Sequence, residues 1–104
     1  MILRLLTERP FPGREELLGQ LDEVVAKPID EDGSVSLQCS RPVKASVIAR
    51  IPVEGEAQDR DGMMIHYLLH VVDGRMNELE VYKDDSSRVL RHAAPEDVTV
   101  MCAG

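Results

Sequence analysis

A chain of 104 residues with 43% hydrophobic and 30% charged residues has the balance of a globular protein and the length of a single domain. Its formal net charge of −7 excludes a nucleic-acid footprint, which needs clustered Lys and Arg against phosphate. No apolar run approaches the ~20 residues of a membrane span, and Arg4 interrupts Met1–Leu6, unlike a signal-peptide core. A cytoplasmic protein is therefore expected, long enough to bury a core without disulfides or metal. Aromatics make up only 3%, so that core must be built from Leu, Val, Ile and Met. Cys39 and Cys102 lie far apart with no Cys-x-x-Cys spacing, and in a cytoplasmic chain they are expected as buried free thiols.

Met1–Leu6 reads as a strand or extended arm packed on a sheet, and Pro10 and Pro12 delay the helix that follows. From Gly13, Leu17, Leu18, Leu21, Val24 and Val25 recur at helical spacing with Glu15 and Glu16 at the positive end of the dipole. The spacing predicts about three turns of amphipathic helix, ended at Lys27-Pro28 because proline disfavours helical geometry in the residue before it. Asp30–Gly33 is a turn, and Val35–Cys39 alternates as a half-buried strand. Lys44–Glu56 reads as a longer strand with Val47, Ala49, Ile51 and Val53 on one face, Pro52 marking an edge or bulge. A polar connection, Gly55–Gly62, leads to the central hairpin. Beyond it a brief strand at Val89-Leu90, a turn at Pro95–Asp97 and a terminal strand at Val98–Cys102 are expected.

The hairpin spans Asp61–Lys83 around Asp73-Gly74, a strong turn signal between β-rich runs. A two-residue turn at Asp73-Gly74 would set Leu69 opposite Glu78 and Tyr67 opposite Glu80, scattering carboxylates through the apolar set. A loop one residue longer, with Gly74 left-handed in a bulge, sets Tyr67 opposite Leu79 and Ile65 opposite Val81. One face then reads Ile65, Tyr67, Leu69, Val71, Leu79, Val81; the other reads Met64, His66, Leu68, His70, Glu78, Glu80, Tyr82. A one-residue slip would exchange the faces, so the segregating register is expected.

In that register His66 faces Glu80 and His70 faces Met76, with Glu78 one pair away. Such a His/Glu group suits a metal or general acid–base chemistry. Residues four apart on a strand stand roughly 13 Å apart, however, too far for one ion. Cross-strand His–Glu pairs on a polar face are therefore the favoured account of the pattern. Leu68, Met64 and Tyr82 make the face amphipathic, as at a subunit interface or partner site, or under cover of the chain's own termini. The two Asp-x-Asp-Gly sequences, at 30–33 and 59–62, lack the onward spacing of an EF-hand and read as turns. No nucleophile motif and no phosphate-binding glycine motif occurs.

The segment Asn77-Glu78-Leu79-Glu80-Val81-Tyr82-Lys83-Asp84-Asp85 resembles one in a group of small uncharacterised bacterial proteins, domains of unknown function. These carry Glu-Leu-Asp/Glu-hydrophobic-aromatic-Lys-x-Asp after an Asp-Gly turn and a Gly-Ser-Leu-type strand, for which Asp32–Leu37 is an imperfect match. The resemblance spans Thr7–Val89, and some similar proteins look like the immunity partners of bacterial toxins. It implies a bacterial cytoplasmic α+β binder and carries no catalytic residues.

The resulting expectation is a single α+β domain over 1–104, an N-terminal helix packed on a mostly antiparallel sheet of about five or six strands. Its core is expected to include Leu17, Leu21, Val24, Leu37, Val47, Ile51, Ile65, Tyr67, Leu69, Leu79 and Val81. The expected function is a non-catalytic protein-binding module with no cofactor, using Glu78, Glu80, Tyr82, Asp84, Asp85 and Leu68 against a basic protein, as monomer or homodimer. The alternative is a small metal protein or enzyme using His66, His70, Glu78 and Glu80.

Overall fold

The computed structural model describes residues 6, 10–39, 44–47 and 49–103. The α-helix that lies wholly within them is α1 (Arg14–Gln20), entered through Gly13 at φ +90° with Glu15 and Glu16 in its first turn. It is about two turns long, not three. Leu17 and Gln20 are its buried residues, and its main contact with the sheet is at one strand, near the hairpin tip. The chain leaves the helix through a turn at Leu21–Glu23, and Val25–Pro28 becomes strand β1. Val24 and Val25 fit the helical spacing, but β-branched side chains are stiff in a helix and pack well on a pleated sheet, and a strand partner is available. The expected α+β architecture is thus replaced by a mostly β one.

The other strands are β2 (Val35–Gln38), β3 (Val53–Gln58), β4 (Met64–Val72), β5 (Arg75–Lys83) and β6 (Thr99–Cys102). They form one sheet in the order β1-β2-β5-β4-β3-β6, every neighbouring pair antiparallel. Lys44–Glu56 is not one long strand. Its described part is irregular until Val53, held to the hairpin by Ala45 N–H to Gly74 O (2.8 Å) and by Val71 N–H to Arg50 O (2.7 Å). Val89-Leu90 is also irregular. Most of Met1–Leu6 lies outside the described residues, although Leu6 is fully buried in the core.

The central hairpin corrects the expected pairing while keeping its faces. Its turn has two residues, Asp73 at φ +52° and Gly74 at φ +74°, the pair of positive angles that a type I′ turn requires. A Cβ on Gly74 would also lie 2.5 Å from Lys44 Cβ, so glycine is needed for space as well as angle. Val72 pairs with Arg75 and Val71 with Met76, but His70 then pairs with Glu78, leaving Asn77 as the extra residue of a bulge. Beyond it Leu69 pairs with Leu79, Tyr67 with Val81 and Ile65 with Lys83, two residues from the expected register. The bulge does inside β5 what a longer loop was expected to do at the tip.

The inner face so defined carries the core: Ile65, Tyr67, Leu69, Val71, Met76, Leu79 and Val81 with Leu6, Leu17, Leu37, Val53 and Val100. Full burial of each such large side chain stabilises by about 1.5–3 kcal/mol. Leu21, Val24 and Val47 pack at its margin, and Ile51 is only half-buried. Cys39 is buried and Cys102 half-buried, both as free thiols.

Candidate functional site

The outer face of the sheet is the opposite pleat of the same strands, and its rows follow from the register. One row runs Ser36, Glu78, His70; the next Glu80, Leu68, Glu54, Met101; the third Tyr82, His66, Glu56, Thr99. Strand β3 contributes Glu54 and Glu56 because its inward positions are Val53, Gly55 and Ala57. Leu68 is half-buried at the centre of this face, while Tyr82 and Met101 keep 38% and 37% of their surface exposed. The middle is apolar and the surround is carboxylate.

Two polar groups organise this face. In the first, His70 Nε2 lies 2.8 Å from Glu80 Oε1, and Arg50 Nε donates to His70 Nδ1 at 3.1 Å. An arginine Nε always donates, so His70 accepts at Nδ1 and gives its Nε2 proton to Glu80. One ligand atom each from His70, Glu78 and Glu80 falls within 4.8 Å of the others. In the second, His66 Nε2 pairs with Asp84 Oδ1, and the ring stacks on Tyr82 with centroids 4.9 Å apart. Burial first, and then the carboxylates of Glu80, Asp84 and Glu54, push the Tyr82 phenol above its usual range.

A third ionic group lies on the inner side. Lys83 points inward at the end of β5, its stem in the core and its ammonium 3.0 Å from Asp59 Oδ2 and 2.6 Å from Asp61 Oδ2. The Lys83 and Asp59 side chains are fully buried. Asp59 also accepts N–H from Arg60, Leu90 and Arg91. Burial alone would raise its pKa. These amides and the Lys83 ammonium outweigh that and hold the carboxyl far below the ordinary range. Burial works to lower the Lys83 pKa, and Asp61 with Asp59 reverse it, holding the amine above its usual value.

The two Asp-x-Asp-Gly turns share a purpose. Asp32 Oδ1 accepts Val89 N–H at 2.8 Å, while Asp59 takes the next two amides, so both turns clamp one strap, residues 88–92. His92 on that strap meets the Tyr67 hydroxyl at 3.0 Å. Asp30 and Asp61 accept amides within their own turns. These carboxylates serve backbone groups, as turn aspartates do.

Of the residues expected in the site, Glu78, Glu80 and Leu68 gather around His70, and Tyr82 and Asp84 gather around His66. Asp85 does not join them: it lies in the turn after β5, where it accepts from Ser87 N–H and Oγ–H. Glu54, Glu56, Met101, Arg50 and the Lys83–Asp59–Asp61 group were not anticipated. Alternation in Val53–Gln58 was the available signal, masked by Gly55 and two glutamates that strands ordinarily disfavour.

No described helix is long and apolar enough to cross a membrane. Neither the curated proteins nor the solved structures gave a significant match to the chain. One family model, described as a domain of unknown function, matches residues 1–93, up to but not including β6. On that match the chain belongs to the DUF6984 family.

Proposed function

We propose that the chain is a non-catalytic, cytoplasmic protein-binding module that presents the outer face of its sheet to a basic protein surface. The observation that supports this reading is the row Glu80-Leu68-Glu54-Met101, an apolar centre between carboxylates with no described element packed over it. Apolar centres supply contact area, and a surrounding charge of one sign steers a partner of the other. Beside this face, where β2 leaves β5, a cleft of about 230 Å³ is lined by Asp30, Asp32, Glu78, Glu80 and Tyr82 among others. An aromatic ring among carboxylates suits a Lys or Arg side chain.

The test is recovery of the tagged protein from its host at low salt, followed by mass spectrometry of what stays bound. A stoichiometric basic partner that salt releases, and that a Glu54→Lys/Glu80→Lys variant fails to retain, is expected. Retention of the partner unchanged by both charge reversals would overturn the reading, because exposed charges must be felt in attraction and screened by salt.

A further inference from the structure

We propose that His70, Glu78 and Glu80 form a binding site for one divalent transition-metal ion, for which Arg50 competes in the metal-free protein. This goes beyond the partner-binding reading: it shares Glu78 and Glu80 with that face but turns on His70. The three ligand atoms lie within 4.8 Å of one another and come from the two central strands of the sheet, not from loops. Side chains on such elements keep their relative positions better than loop side chains do.

The bulge makes the group possible. With a two-residue turn and no extra residue at Asn77, Glu78 would fall opposite Leu69 and point into the core. The bulge rotates Glu78 and Glu80 onto the pleat of His70 and leaves Glu78 paired directly across from it. Among the described residues no hydrogen bond reaches the Glu78 carboxylate, although it is half-buried beside the like charge of Glu80. A cation would relieve that repulsion.

The donor set is one imidazole nitrogen and two carboxylate oxygens, with further positions open to water because the face is uncovered. Three protein ligands plus water is the arrangement of open metal sites. The nitrogen favours first-row transition ions over Ca²⁺ and Mg²⁺, which take oxygen ligands. His66 is outside the set, since its ring is paired with Asp84 and stacked on Tyr82.

Arg50 supplies the competition. Its N–H on Nδ1 fixes the ring proton on Nε2, the nitrogen that faces Glu80. A metal at Nε2 needs that proton on Nδ1, where it would meet the Arg50 N–H head-on. Arg50 must therefore leave. It is exposed and sits in the irregular segment before β3, so its departure breaks a surface hydrogen bond and no packing.

The test titrates the full chain, without a partner, with Mn²⁺ alone, following free Mn²⁺ by electron paramagnetic resonance. One ion per chain is expected, with pulsed spectra showing a single imidazole nitrogen. His70→Ala and Glu80→Gln should each weaken binding at least tenfold, the scale on which even supporting groups act. His66→Ala should leave it unchanged, and Ca²⁺ at equal concentration should not displace the ion. Arg50→Ala should tighten binding roughly tenfold, the worth of one charged hydrogen bond. A gain of this sign cannot come from misfolding. No uptake, uptake indifferent to His70→Ala, or equal displacement by Ca²⁺ would each overturn the site, and an unchanged affinity in Arg50→Ala would overturn the competition. Each failure reads on the isolated chain, so it is distinct from failure to find a partner.

Discussion

Two ionic clusters sit on opposite pleats of β5, and they differ in what surrounds them. Lys83 with Asp59 and Asp61 is walled in, and every polar contact within it ties one backbone segment to another. His70 with Glu80 and Glu78 is made of similar groups, yet the His70 and Glu80 side chains keep 14% and 39% exposure and their loss strands no buried backbone amide. A buried charge that loses its partner is left in a medium that solvates it poorly, whereas an exposed one returns to water. The inner cluster is therefore expected to hold the fold, and the outer one to be free for recognition.

Removing Asp59 should break this comparison most severely. Asp59→Ala leaves Lys83 short of a counter-charge and the Leu90 and Arg91 amides without an acceptor. A fall of about 10 °C or more in melting temperature is expected, with the 88–92 strap newly open to protease and hydrogen exchange. The same cluster gives stability a pH signature at both ends. Asp59 is depressed below its ordinary 3.8, so its contribution is present above that value and is lost as the pH falls below it. Lys83 is raised above its ordinary 10.5, so its contribution is present below that value and fades as the pH rises beyond it. Acid melts of Asp59→Asn should decline less below 3.8 than those of the parent, with Asp73 and Asp85, whose carboxyls are also held low, supplying what remains.

Gln20→Ala comes next. Gln20 is fully buried, donates to Gly74 O at 2.9 Å and accepts from Met76 N–H at 2.9 Å, so its loss strands the Met76 amide and leaves Gly74 O with Ala45 N–H alone. A cost of about 2 kcal/mol in chemical denaturation is expected. On the outer face Glu80→Gln should cost no more than about 1 kcal/mol, and Glu78→Gln should stay within about 0.5 kcal/mol. If either matched Asp59→Ala in its effect on melting, the division into a structural cluster and a recognition cluster would be wrong.

What the sequence reveals follows the range of the forces involved. The hairpin's two faces are readable because alternation is local and a slip would bury carboxylates. Its register is not, since a tight turn with an internal bulge and a longer loop give the same faces. The end of α1 is misread because Val24 and Val25 satisfy both helical spacing and strand preference, and only the presence of β2 decides. Strand β3 is hidden by Gly55, whose inward position matters because Val98 and Leu6 press on it: a Cβ there would lie 2.9 Å from Val98 Cγ1. The Lys83 cluster joins residues 59, 61 and 83 through the fold alone, and no spacing announces it. For the outer site, His70, Glu78 and Glu80 are each visible, but Arg50 depends on how an irregular segment returns to the sheet.

The strand order β1-β2-β5-β4-β3-β6 also carries a consequence for how the chain folds. Three of its five ladders join strands adjacent in sequence: β1 with β2, β3 with β4, and β4 with β5. The other two, Ser36 with Glu78 and Glu56 with Thr99, close long loops and bear the greater entropy cost before any contact repays it. The β3-β4-β5 meander can thus assemble as a local nucleus, with the β1-β2 hairpin and the β6 edge strand docking afterwards on opposite sides. Substitutions in β6 should then mainly accelerate unfolding, while those at the β4-β5 core pairs should slow folding itself.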